Sequence, residues 1–302
     1  MKKAIFVLVL LVSAGAAARL SAADYWAWVP EAGPDKPATA IFGYGTDFPK
    51  GDPIKDSVFV GNFLPVRLFG PTGEIPLAVD GLEAWVFSTA EPLPGGKYFA
   101  SVENQPSYWT RTATDQVHKP KNEVPNAVSC NQFSYVGKYV FSVGTPAGED
   151  HKKLLGHKLE IVPQSDPSLA EEGKPFKVQV IYDWKPFPKA EINAFPAGMT
   201  KDNSSYGFSA RTDDEGMVDI IPLKAGVWLA KVIKSDDHAD PAVCDKVQYY
   251  SSLTFVAKPE SSPGAAPSGG TDSPAAAAEP PGDATSGQNT LREAEPRTGG
   301  AG

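Results

Sequence analysis

In short runs between Phe176 and Ile233, apolar side chains recur at every second position, and that period leaves little choice of fold. In Phe176-Lys177-Val178-Gln179-Val180-Ile181-Tyr182 the alternation gives an extended strand one apolar face. Ala190-Glu191-Ile192-Asn193-Ala194 and Val218-Asp219-Ile220 repeat it. Val227-Trp228-Leu229-Ala230-Lys231-Val232-Ile233 is more apolar, as in a strand covered on both faces. Turn residues separate the runs: Lys185-Pro186, Pro196-Ala197-Gly198, Asp214-Glu215-Gly216 and Lys224-Ala225-Gly226. Short strands at this spacing predict a β-sandwich over residues 156–257. The first half repeats the pattern less regularly, with strands expected at 39–44, 58–69, 82–87, 98–102 and 133–143. No long stretch has a helical period with caps. The predicted fold is all-β, with two sandwich domains of the immunoglobulin-like or transthyretin-like kind.

The rest of the 302 residues divides around these two domains. Lys2 and Lys3 precede an apolar stretch from Ala4 to Val12, shorter than the roughly 20 residues a membrane helix needs. Small residues follow, ending in Ser21-Ala22-Ala23, so residues 1–22 read as a signal peptide. No later segment is apolar enough for a membrane helix, and the expected location is periplasmic or secreted. The first domain is placed at 23–150 and the second at 151–258. The boundary falls among the Gly, Pro and charged residues of 145–155. From 259 to 302 the chain is Ala, Gly, Pro and Ser with scattered charges and no aromatic residue, a composition expected to remain disordered.

Charge and cysteine usage narrow the function. The formal net charge is -8, and loss of the signal peptide removes Lys2, Lys3 and Arg19 as well. An acidic chain disfavours nucleic acid and anionic lipid as partners. Cys130 and Cys244 are the 2 cysteines, and in an oxidising compartment they are expected to form one disulfide joining the domains. No Ser, His and Asp set stands in a nucleophile context, because Ser129-Cys130-Asn131 lacks the surrounding elbow. Glu171-Glu172 and Asp213-Asp214 are adjacent, so in a strand each pair points to opposite faces. The chain reads as a binding protein rather than an enzyme.

Two sets of residues are candidates for binding. Asp236-Asp237-His238-Ala239-Asp240 is the densest group of donors; it reads either as a solvated loop or as a cation site of Asp236, Asp237, His238 and Asp240. Asp150-His151 and His157 lie in the linker. The aromatics Tyr25, Trp26, Trp28, Trp85, Tyr108 and Trp109 read either as core or as platforms that stack on sugars.

Several short motifs together resemble a known family. They are Gly43-Tyr44-Gly45-Thr46-Asp47-Phe48-Pro49, Tyr108-Trp109-Thr110-Arg111-Thr112 and Gly137-Lys138-Tyr139, then Leu159-Glu160-Ile161-Val162-Pro163 with Asp166-Pro167, Thr212-Asp213 with Gly216, and Leu253-Thr254-Phe255. In this order they resemble the NikM-like periplasmic proteins over nearly all of residues 24–257. The resemblance implies an accessory role in nickel or cobalt uptake, a weakly bound transition metal ion, and an envelope or membrane uptake component as partner. Two departures weigh against tight metal binding: family members carry His near Asp24 and at Thr46. The second domain is also similar to carboxypeptidase-regulatory and transthyretin-like sandwiches, in which the Thr212 to Gly216 segment is a structural turn. The alternative function is a structural or carbohydrate-interaction module of the envelope without metal.

Overall fold

The computed structural model describes residues 23–54, 60–81, 85–145, 148–199 and 205–261. The signal peptide and most of the low-complexity tail lie outside these residues. The first half comprises Asp24–Gly33 (β1), Lys36–Gly45 (β2), Arg67–Gly70 (β3), Gly73–Ile75 (β4), Ala78–Gly81 (β5), Val86–Pro92 (β6), Gly96–Glu103 (β7), Ser107–Arg111 (β8), Gln116–Val117 (β9) and Ser129–Val143 (β10). The second comprises Leu159–Pro163 (β11), Phe176–Tyr182 (β12), Lys185–Pro186 (β13), Glu191–Pro196 (β14), Phe208–Arg211 (β15), Met217–Ile220 (β16), Gly226–Asp237 (β17) and Lys246–Ala257 (β18).

These strands form a broad 10-stranded sheet and two 4-stranded sheets. The broad sheet runs β15-β14-β17-β18-β10-β7-β3-β4, with β8 paired to β10 and β9 to β8. One small sheet is β1-β2-β6-β5; the other is β11-β12-β13 with β16 beside β12. The two halves of the chain join where β10 and β18 pair in parallel, from Asn131 beside Lys246 to Tyr139 beside Thr254.

Alternation sends successive side chains of the broad sheet to opposite faces. On one face Tyr98, Ala100, Val102, Tyr139, Phe141 and Val143 pack against Tyr25, Ala27, Val29, Ala40 and Phe42 of the first small sheet. On the other, Trp228, Ala230, Val232, Leu253 and Phe255 pack against Leu159, Ile161, Phe176, Val178 and Val180. Phe99 and Val140, from strands of the first half, belong to this second core. The protein is therefore all-β, and its two sandwiches use opposite faces of one shared sheet.

The strand β1 fastens this arrangement. Its residue Trp26 turns away from the first core and fills a cluster with Phe48, Phe195 and Leu229. The Trp26 indole lies flat on Gly43, its partner across the ladder, where a Cβ would fall inside the ring. Asp24 and Lys231 form a buried ion pair at 3.0 Å. A second buried pair, Lys138 to Glu160 at 2.7 Å, ties β10 to β11. The turn at Thr212 to Gly216 follows from its residues: Asp213 Oδ1 accepts from Glu215 N (3.0 Å) and Met217 N (2.7 Å), while Gly216 adopts φ +73°.

The strand expected at 58–69 is shorter in the structure. Residues 58–59 lie outside the described residues, Val60–Asn62 is a 3-10 turn, Phe63 forms an isolated bridge to Asn104, and the ladder begins at Arg67. Pro65, which has no N–H to give a ladder, and Gly61 interrupt the alternation there. The turn expected at Lys185-Pro186 lies two residues earlier: Asp183 and Trp184 adopt φ of 51° and 64°, and Lys185-Pro186 pairs with β12.

Candidate binding pocket

Where β1 begins and β2 ends, the first face of the broad sheet continues past the small sheet covering it. The step leaves a cavity of about 540 Å³, inside the usual size range of ligand pockets. Its floor is written in the two-residue period. Asn131, Phe133 and Tyr135 of β10, Trp109 and Arg111 of β8, and Gln248 and Tyr250 of β18 all line it. Strand register sets them in rows: Arg111 beside Ser129, Trp109 beside Asn131, Phe133 beside Gln248, and Tyr135 beside Tyr250. Tyr25 and Tyr44, paired across β1 and β2, close the cavity from the small sheet.

The aromatic rings hold one another in place. Tyr25 stacks on Tyr135 with centroids 4.1 Å apart, and Tyr135 stacks on Tyr250 at 4.5 Å. Trp109 meets Phe133 edge to face at 5.7 Å. Polar groups form a chain along the floor: Tyr250 donates to Gln248 Oε1 (2.9 Å), and Gln248 Nε2 donates to Asn131 Oδ1 (3.3 Å). Burial raises the pKa of Tyr25 and Tyr135 far above the ordinary phenol value, and that of Tyr250 to about 12. The phenols are thus neutral hydrogen-bonding groups at physiological pH. Among the described lining residues none is His, Cys, Asp or Glu, and Arg111 is the one charged side chain. The site offers ring faces, amides, hydroxyls and a single guanidinium.

The disulfide supports this floor from behind. Cys130 sits between Ser129 and Asn131 and so points to the opposite face of β10. It is bonded to Cys244 in the loop between β17 and β18, with Cα atoms 5.0 Å apart. Asp245 accepts from Cys130 N (2.7 Å) and pairs with Lys121. Two strands of the pocket are clamped at this point.

The structure does not bring the proposed metal donors together. Asp236 and Asp237 both lie in β17, whose pleat sends them to opposite sides. Asp236 is bound by Tyr182 and Lys234, whereas Asp237 pairs with Lys246 at 2.6 Å. His238 Nδ1 accepts from Asp240 N (3.0 Å), and Nε2 donates to Gln132 Oε1 (2.8 Å). Asp240 Oδ1 accepts from Ala242 N at 2.9 Å. These contacts close the loop on itself and dock it to β10. Among the described residues, no group of three or more His, Cys, Asp or Glu side chains is placed to hold a metal ion. The linker histidines are buried apart from each other, His157 against Ser101 at 3.0 Å and His151 beneath its own 3-10 turn.

The aromatic candidates divide in two. Tyr25 and Trp109 line the pocket; Trp26 is 0% exposed, and Trp28 and Trp85 pack against the first core. The sequence reading did not single out Phe133, Tyr135, Tyr250, Asn131, Gln248 or Arg111 for the site. Their signal is the period of two in Asn131-Gln132-Phe133-Ser134-Tyr135 and Gln248-Tyr249-Tyr250, which marks one face of each strand. Only pairing shows that these faces are one surface.

No curated protein matches this chain. Similar solved structures include the D0-D1 domain of Intimin, at 14% identity over 77% of this chain and 97% of that one, with a TM-score of 0.20. They also include chicken CNTN1 FN1-FN3 domains, at 7% identity over 78% and 98%, with a TM-score of 0.21. Likeness at this level carries no argument about function. The sequence match is firmer: residues 20–236 fit the family described as Domain of unknown function (DUF4198), a span taking in the first sandwich and most of the second, and the chain belongs to that family.

Proposed function

We propose that this protein is an exported, non-catalytic binding module of the cell envelope, and that its ligand is a carbohydrate unit held in the aromatic pocket. The observation that supports this reading is the composition of the cavity. Aromatic faces suit the apolar faces of a sugar ring, and the neighbouring amides and hydroxyls suit its hydroxyl groups. The described lining residues include no carboxylate pair for acid–base work on a glycosidic bond, which supports a reading of binding without hydrolysis. A role in nickel or cobalt uptake finds no donor set among the described residues to support it. Export rests on the signal peptide read from the sequence. The described residues contain no helix long and apolar enough to cross a membrane.

Titration calorimetry with a panel of defined oligosaccharides tests this. At least one should bind, and Trp109→Ala should weaken that binding roughly tenfold, the order expected for one lost aromatic platform. Trp109 is only partly buried, so the variant should keep its melting temperature within a few degrees. Nickel or cobalt binding in the micromolar range, with no sugar bound, would replace this reading with the metal one.

A further inference from the structure

Arg111 stands out against the rest of the chain. The formal net charge is -8, so carboxylates outnumber cations. Of the described arginines, Arg67 pairs with Glu74 at 2.8 Å and Arg211 with Glu191 at 3.5 Å. Arg111 lines the pocket, and no hydrogen bond, ion pair or ring contact of its side chain is formed among the described residues. The other described lining residues are uncharged. Among the described lining residues no carboxylate neutralises this guanidinium or repels an anion, and the nearby Asp24 carboxylate is paired with Lys231.

We infer that the pocket selects an acidic sugar, a hexuronate unit of a glycan, with Arg111 gripping its carboxylate. The inference rests on the carbohydrate reading of the pocket and narrows it. Trp109 and Arg111 are two residues apart on one face of β8, so their Cα atoms are roughly 7 Å apart. That spacing matches the reach from the centre of a stacked six-membered ring to a guanidinium holding the ring's exocyclic carboxylate. A planar guanidinium takes a carboxylate through two parallel N–H bonds, which fixes direction as well as charge. The floor amides of Asn131 and Gln248 lie on the same face for the ring hydroxyls. The acidic surface elsewhere does not cancel this attraction, because charges beyond about 8 Å are screened at physiological ionic strength. A ring bearing a carboxylate could also be a small aromatic acid. The polar floor favours the sugar.

Calorimetry on the full chain decides between these, with trigalacturonate, the corresponding neutral galactose trimer, and benzoate as probes. Wild type should bind the acidic trimer about tenfold or more tightly than the neutral one, as for a charge-assisted hydrogen bond. Arg111→Gln should remove that preference, so that the two trimers bind with similar affinity; Arg111→Lys should keep part of it. Raising the salt concentration should weaken the acidic trimer alone. Equal wild-type affinity for both trimers, or a preference that survives Arg111→Gln, overturns the inference and leaves the carbohydrate reading standing. Benzoate binding with neither trimer bound overturns the inference and assigns the pocket to an aromatic acid. Failure of all three probes likewise overturns the assignment of a hexuronate.

Discussion

Lys138 and Glu160 are almost wholly buried, with side chains 3% and 2% exposed. Burial lowers the lysine's pKa, and the Glu160 carboxylate opposing it also accepts from Leu155 N (2.9 Å) and Gly156 N (3.2 Å). Removing one partner leaves the other charged and unpaired in the interior. Lys138→Met should cost about 3–5 kcal/mol in urea unfolding, and the double replacement Lys138→Met with Glu160→Leu should recover much of that. His157 lies beside this pair, facing Ser101 and Glu103, with the charges of Lys138 and Arg67 nearby. Burial holds His157 and His151 below their ordinary value of 6.5. An unfolded chain then binds protons that the folded chain refuses. Their contribution is fully present above about pH 6.5 and is lost as pH falls toward the lower folded values. Melting temperature should drop between pH 7.5 and pH 5, and His157→Gln should flatten that drop. An unchanged slope in the variant would remove His157 from the account.

At the scale of elements, β10 does the most work. One face of its first half is pocket floor, its second half is core on both faces, and it pairs with β8, β7 and β18. The disulfide pins its first residues to the loop before β18. The cysteines are 114 positions apart, so the chain-entropy model sets their contribution at roughly 4–5 kcal/mol as an upper figure. Replacing both with Ala should lower the denaturation midpoint accordingly. It should also weaken the pocket ligand, since Asn131 and Gln248 stand on the two strands that the bond clamps. A double variant with unchanged ligand affinity would show that strand pairing alone holds the floor.

For the whole molecule, the shared sheet has a thermodynamic consequence. Neither sandwich is complete without strands that also face the other, and Trp26 seals the join with Phe195 and Leu229. The two halves should therefore unfold together. Calorimetry should give a single transition whose measured enthalpy equals the van't Hoff value. Two resolved transitions would mean that the parallel β10 and β18 ladder opens before either core does.

What the chain could show by itself was local. Alternation in Phe176 to Tyr182 and in Ala190 to Ala194 marks strands, and the apolar run at Val227 to Ile233 marks one buried on both faces; each property depends only on a residue and its near neighbours. The same holds for the Asp213 turn, whose hydrogen bonds span four residues. The site is not local. Arg111, Asn131 and Gln248 come from three strands, and they meet only because β8 and β18 flank β10 in one register. In the same way, the acidic run from Asp236 to Asp240 looked like a cluster because its donors are close in sequence. The pleat of β17 and the docking of His238 on Gln132 separate them in space. Periodicity belongs to the sequence. Which faces meet, and so which side chains make a pocket, depends on strand order and register, which the tertiary structure alone decides.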